Sequence, residues 1–67
     1  MDKLLTQFLA VADAGSLSGA ATALFITQTT LSFNMNKLEE TVGAPLFERS
    51  SRGMTLTRYG ETLYENA

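Results

Sequence analysis

The 67-residue sequence predicts a mainly α fold, with three helices forming a core, then a two-stranded hairpin, then a last helix. Three observations predict it. Apolar residues recur at helical spacing through residues 3–14 and 28–42. Glycine or proline closes each run, at Gly15 and at Gly43 and Pro45. Beyond them, two short runs flank Ser50-Ser51-Arg52-Gly53, a tight polar link ending in glycine that signals a hairpin.

The elements follow in order. Asp2 is placed to cap a first helix from Lys3 to Ala14, where Leu4, Phe8 and Val11, with Leu5, Leu9 and Ala12 beside them, make a wide apolar face. Gly15 stops it, because glycine accepts the left-handed conformation just past a helix end. Ser18 is the expected N-cap of a second, short helix over Gly19 to Phe25, whose Ala20, Ala21 and Ala23 let another helix approach closely. After Ile26, Thr27 caps a third helix over 28–42, in which Leu31, Met35, Leu38 and Val42 form one stripe that must face the core. Phe33 stands roughly 200° around the helix from both Leu31 and Met35, and so points away from that stripe. Runs at Leu46 to Arg49 and Met54 to Leu56 supply the hairpin strands. Thr57 then caps a last helix over Arg58 to Ala67, with Leu63 and Tyr64 expected to pack inward.

Composition narrows the function. A chain this short is one domain at most, removing roughly 60% of its unfolded surface from water on folding. With 45% hydrophobic and 18% charged residues it is globular rather than disordered. It has no cysteine and no histidine, which excludes disulfides, thiolate nucleophiles, zinc fingers and imidazole catalysis; with no paired-carboxylate site either, an enzyme has almost no material here. No cofactor or metal motif occurs, and none is expected to bind. No apolar run nears the ~20 residues that span a bilayer, and MDKLLTQF lacks the basic and apolar regions of a leader, so a soluble cytoplasmic domain is expected.

The net charge of −2 argues against strong nucleic-acid binding, but its distribution is uneven. Residues 1–26 carry −1, residues 27–58 carry +1, and residues 59–67 carry −2, with Arg49, Arg52 and Arg58 clustered in the middle. Helix, short helix, tight turn, longer helix and hairpin are together the order of a winged helix-turn-helix. A 15-residue recognition helix is roughly 22 Å long and fits a major groove about 12 Å wide. The arginines of the wing, residues 46–56, are then available to an adjacent minor groove or its phosphates.

The segments AATALFITQTTLS (20–32), LEETVGAPLFERSSRG (38–53) and LTRYGETL (56–63) closely resemble the N-terminal DNA-binding domain of LysR-type transcriptional regulators. The combined pattern AAxxL, TQxxLS, LEExxGxxLFER, RGxxLTxxG runs through nearly the whole chain in unbroken order and is highly specific. The resemblance implies a bacterial activator or repressor that binds double-stranded DNA as a homodimer or tetramer. It also implies domain bounds, with residues 1–58 forming the winged domain and 59–67 beginning a linker helix that dimerises. In the family a C-terminal domain of two α/β lobes follows and takes a small-molecule inducer; this sequence contains none of it.

Carried over by position, Thr27 and Gln28 match the family's Ser/Thr-Gln at the mouth of the recognition helix. Gln28 is the leading base reader, because its amide can pair bidentately with adenine N6 and N7. Thr30 and Ser32 match small positions near base methyls and phosphates, and Arg49 and Arg52, with Ser51 beside them, match the wing. The departures are Thr29 where proline or a small residue is usual, Phe33 where arginine is usual, and Asn36 where many members are basic. Lys37 either meets phosphate or pairs with Glu39 or Glu40 on a solvated face. Phe33 cannot replace a guanidinium; it either presses on a thymine methyl or anchors a protein partner. The alternative reading is therefore a winged-helix protein-interaction module with weak or no DNA binding.

Overall fold

The computed structural model describes residues 2–67. Helices α1 (Lys3–Ala14), α2 (Leu17–Leu24) and α3 (Gln28–Val42) precede strands β1 (Phe47–Ser50) and β2 (Gly53–Leu56), and α4 (Arg58–Asn66) follows. The strands pair antiparallel, Phe47 opposite Leu56 and Arg49 opposite Met54, with Ser51 and Arg52 forming the two-residue turn. Phe8, Val11, Leu17, Ala20, Ala21, Leu31, Met35, Leu38 and Leu46 form one buried cluster where the three helices meet. The Phe8 ring packs 5.3 Å from that of Phe47, joining the hairpin to α1. The mainly α winged helix-turn-helix read from the sequence is the fold observed.

Asp2, Thr27 and Thr57 cap their helices as expected, each accepting a backbone N–H from two or three residues on. The second helix differs. Its N-cap is Ser16, not Ser18: Ser16 is extended and its hydroxyl accepts the Gly19 N–H at 3.0 Å. Starting the helix two residues earlier places Leu17 in its first turn, where the side chain is buried. It also ends at Leu24, because Phe25 turns left-handed at φ 59°. That conformation is uncommon for a side chain with a Cβ, and the ring is 94% exposed.

Two inward-facing expectations fail at element ends. Val42 is 47% exposed, although it continues the line of Leu31, Met35 and Leu38. It lies roughly 16 Å along the helix from Leu31, and the core of this small domain ends before it. On α4, Leu63 is half-buried against the core, but Tyr64 is exposed and donates its hydroxyl to Asp13 Oδ1 at 2.6 Å.

Three loop contacts hold the wing against the helices. The Glu39 carboxylate accepts the Leu46 N–H at 2.6 Å and the Phe47 N–H at 3.3 Å, tying the base of the wing to α3. The Met54 N–H donates to the Gly15 carbonyl at 2.9 Å, so β2 rests on the α1–α2 turn. Gly53 permits that approach: its φ is 107°, and a Cβ there would overlap the Gly15 carbonyl oxygen. At the other end, Thr57 donates its hydroxyl to the Pro45 carbonyl at 2.6 Å and its N–H to the Leu46 carbonyl at 3.0 Å. Gly60 passes so close to that Leu46 carbonyl that any side chain would collide with it.

Candidate nucleic-acid interface

Helix α3 presents two surfaces besides its buried stripe. The first faces the wing. Gln28, Thr29 and Ser32 line an open cleft with Leu17 and Arg49. Arg49 reaches across from β1 and donates a guanidinium N–H to Ser32 Oγ at 3.4 Å, a long and exposed bond that stabilises little. An amide, two hydroxyls and a guanidinium thus converge from two elements separated by the α3–β1 loop. Asn36, a turn further along α3, lines a smaller adjoining recess that Arg49 also borders.

The second surface points straight out. Phe33 is 67% exposed at its centre, with Thr29 and Thr30 one turn before it and Asn36 and Lys37 one turn after, all exposed. Thr27 and Thr30 are partly committed to the helix start. Thr27 Oγ1 accepts the Thr30 N–H at 3.1 Å, and its hydroxyl donates to Thr30 Oγ1 at 2.9 Å. Ser51 and Arg52 sit exposed at the wing tip, outside both recesses, where the Arg52 N–H bonds Ser50 Oγ at 3.2 Å.

The sequence-derived candidates thus fall into three groups. Gln28, Thr29, Ser32, Asn36 and Arg49 border the recesses between α3 and the wing. Thr27, Thr30, Phe33 and Lys37 occupy the helix mouth and outer face, and Ser51 and Arg52 the wing tip. Sequence reasoning missed Ser16, Ser18 and Ser50, which extend the cleft beside Gln28 and Arg49 toward the start of α2. The local signal was a pair of hydroxyls at the start of an alanine-rich helix, Ser16 as its cap and Ser18 in its first turn. It also missed Asn34, whose amide donates to Gln7 Oε1 at 2.9 Å; Gln7 is only 4% exposed and is the buried polar residue of the core. This bond links α3 to α1 in the same rotation that the burial of Leu31, Met35 and Leu38 sets.

Electrostatically the surface is spare. α3 carries Lys37 against Glu39 and Glu40, and Glu39 is turned to the backbone of the wing base. The other nearby cations are Arg49 and Arg52 on the wing. Away from the site, the hydrogen bond to Asp13, followed by that carboxylate's negative charge, raises the Tyr64 hydroxyl above its ordinary pKa.

Comparison with known proteins places this arrangement. Residues 3–61 match the model of the bacterial regulatory helix-turn-helix protein, lysR family. The transcriptional regulator BudR of Klebsiella aerogenes is 48% identical over 65 residues, which cover 97% of this chain and 46% of BudR. DgdR of Burkholderia cepacia is 44% identical over 64 residues, 96% of this chain and 22% of its own length. The chain therefore spans less than half the length of these relatives. The crystal structure of the CbnR DNA-binding domain in complex with DNA matches with a TM-score of 0.91 at 39% identity, over 98% of this chain and 77% of that one. The BenM DNA-binding domain bound to benA site 1 DNA gives 0.91 at 37% identity, over 98% and 78%. By motif, fold and identity alike, this chain belongs to the LysR family of bacterial helix-turn-helix regulators.

Proposed function

We propose that this chain is the sequence-specific DNA-reading domain of a bacterial transcriptional regulator, with residues 1–58 forming the winged unit and 59–67 beginning a linker helix. The observation that carries the reading is the cleft in which Gln28, Thr29 and Ser32 of α3 meet Arg49 of the wing. Such a surface offers both kinds of contact a DNA reader needs, amide and hydroxyl groups for base edges and a cation for phosphate. In this reading α3 enters the major groove, with Gln28 on an adenine edge and Thr29, Ser32 and Phe33 beside it. Thr27, Thr30, Asn36 and Lys37 lie toward the flanking phosphates. Arg49, Ser51 and Arg52 bring the wing to the neighbouring backbone or minor groove. α4 pairs two copies on a two-fold-related site, and in the whole cytoplasmic regulator an inducer-binding domain follows. That the CbnR and BenM domains were solved on DNA supports this reading over a protein-interaction module.

A salt titration tests it. Binding of the dimeric protein to duplex from its own upstream region is measured by fluorescence anisotropy at several salt concentrations. Lys37, Arg49 and Arg52 on two protomers give a slope of log K against log salt of about −5. A scrambled duplex should bind more weakly at every concentration. Flat, undetectable binding down to low salt would sink the proposal.

A further inference from the structure

We infer that Phe33 is a specificity-determining residue, whose ring reads the C5-methyl group of a thymine in each half-site. The inference rests on the DNA-reading role proposed above and names what one position of that surface selects.

Position supplies the first argument. Phe33 lies opposite the buried stripe of Leu31 and Met35 and is 67% exposed, so it contributes little packing to the domain itself. It does not line the cleft beside Arg49, which belongs to Gln28, Thr29 and Ser32. It sits one turn beyond Thr29 and Thr30, within the N-terminal half of a helix that reads base edges from that end. The burial of Leu31, Met35 and Leu38 sets the rotation of α3, so the ring faces outward, and the bond between Asn34 and buried Gln7 is consistent with that rotation.

Chemistry supplies the second. A phenyl ring has neither donor nor acceptor and cannot distinguish the N7, O6, N6 or N4 groups that mark most base edges. The one apolar mark in the major groove is the thymine methyl. Against phosphate, by contrast, the ring would dehydrate an anion with no compensating contact. On the side toward the helix start, Thr29 adds a methyl group one turn away, while Asn36 and Lys37 one turn on lie toward the backbone. Gln28, whose amide suits adenine, lies on the same helix end, so the two residues together favour A·T pairs.

The test removes the methyl from the DNA and the ring from the protein, separately and together. Each thymine in the sequence the dimer protects from nuclease is replaced in turn by deoxyuridine, and affinity is measured for the wild type, Phe33→Ala and Phe33→Leu. Circular dichroism melts check that both variants are folded. At the thymine pair that Phe33 meets, deoxyuridine should weaken wild-type binding about four-fold per methyl, the factor expected for burying one such group. Phe33→Ala should bind thymine and deoxyuridine duplexes alike, and Phe33→Leu should keep part of the preference. Gln28→Ala should weaken binding while keeping it.

Steep salt-dependent binding with no deoxyuridine effect at any position would overturn the methyl reading and leave the DNA-reading role intact. A deoxyuridine effect of the same size in Phe33→Ala would assign the methyl to another residue and equally overturn it. Absence of salt-dependent binding to the unsubstituted duplex would overturn both. An unchanged affinity in Phe33→Ala, together with loss of self-association or of a protein contact, would give the ring to a protein partner.

Discussion

Replacing Phe33 with arginine puts a cation at the centre of the outward face of α3. The side chain is 67% exposed and opposite the core, so the exchange removes little packing. Stability should stay within about 0.5 kcal/mol, with arginine the slightly better helix former. Binding should change more. Arginine is long enough to pass a base edge and meet the backbone beside it, and each phosphate it neutralises steepens the salt slope by about 0.9. Two protomers steepen it by about 1.8. Between 50 and 200 mM salt, a four-fold range, that difference makes the variant's advantage roughly twelve-fold larger at the low end. Anisotropy titrations of both proteins at four salt concentrations measure it. Parallel lines on a log–log plot would refute the reasoning, because position 33 would then lie away from the phosphates. The arginine variant should also lose the deoxyuridine sensitivity expected of the wild type.

Other perturbations test the framework around that face. Arg52→Ala, at the exposed wing tip, should reduce the salt slope by about 0.9 per protomer and weaken binding to specific and scrambled duplexes about equally. Glu39→Ala removes the acceptor of two backbone N–H groups at the wing base and should cost about 1.5–3 kcal/mol in urea denaturation, with Glu39→Gln recovering part of it. In alkaline titration, the folded-state pKa of Tyr64 lies above its unfolded value, so the protonated hydroxyl is the form that folding favours. The bond to Asp13 therefore contributes fully below the ordinary tyrosine range and is lost as pH rises through the raised value. Asp13→Asn should move the onset of phenolate absorbance to lower pH; an unchanged onset would show that the bond does not form in solution.

The sequence made some features legible and hid others for physical reasons. α3 was readable end to end, because Thr27 caps it, Gly43 closes it and its apolar spacing is regular. Its outward residues followed from that spacing alone, and so Phe33 was placed correctly. Ser16 and Ser18 are equally good caps locally; what decides between them is the burial of Leu17, a tertiary matter. Val42 shows the same limit, because periodicity gives direction around a helix but not where along it the core ends. The left-handed Phe25 had no local signal, since glycine or asparagine would normally mark such a turn. Contacts across the chain were the least visible. Gln7 with Asn34, and Ser32 with Arg49, are 27 and 17 residues apart, and neither pair carries a charge pattern that announces it.

The close passage of Gly60 over the Leu46 carbonyl, with both bonds of Thr57 beside it, has a mechanical consequence. The foot of α4 and the base of the wing are one joint, without slack or a side chain between them to act as a washer. Further along, α4 is held by Leu63, half-buried against the core, and by the exposed bond from Tyr64 to Asp13. A substitution that loosens this joint, at Gly60 or at Thr57, therefore disturbs the helix foot and the wing base together.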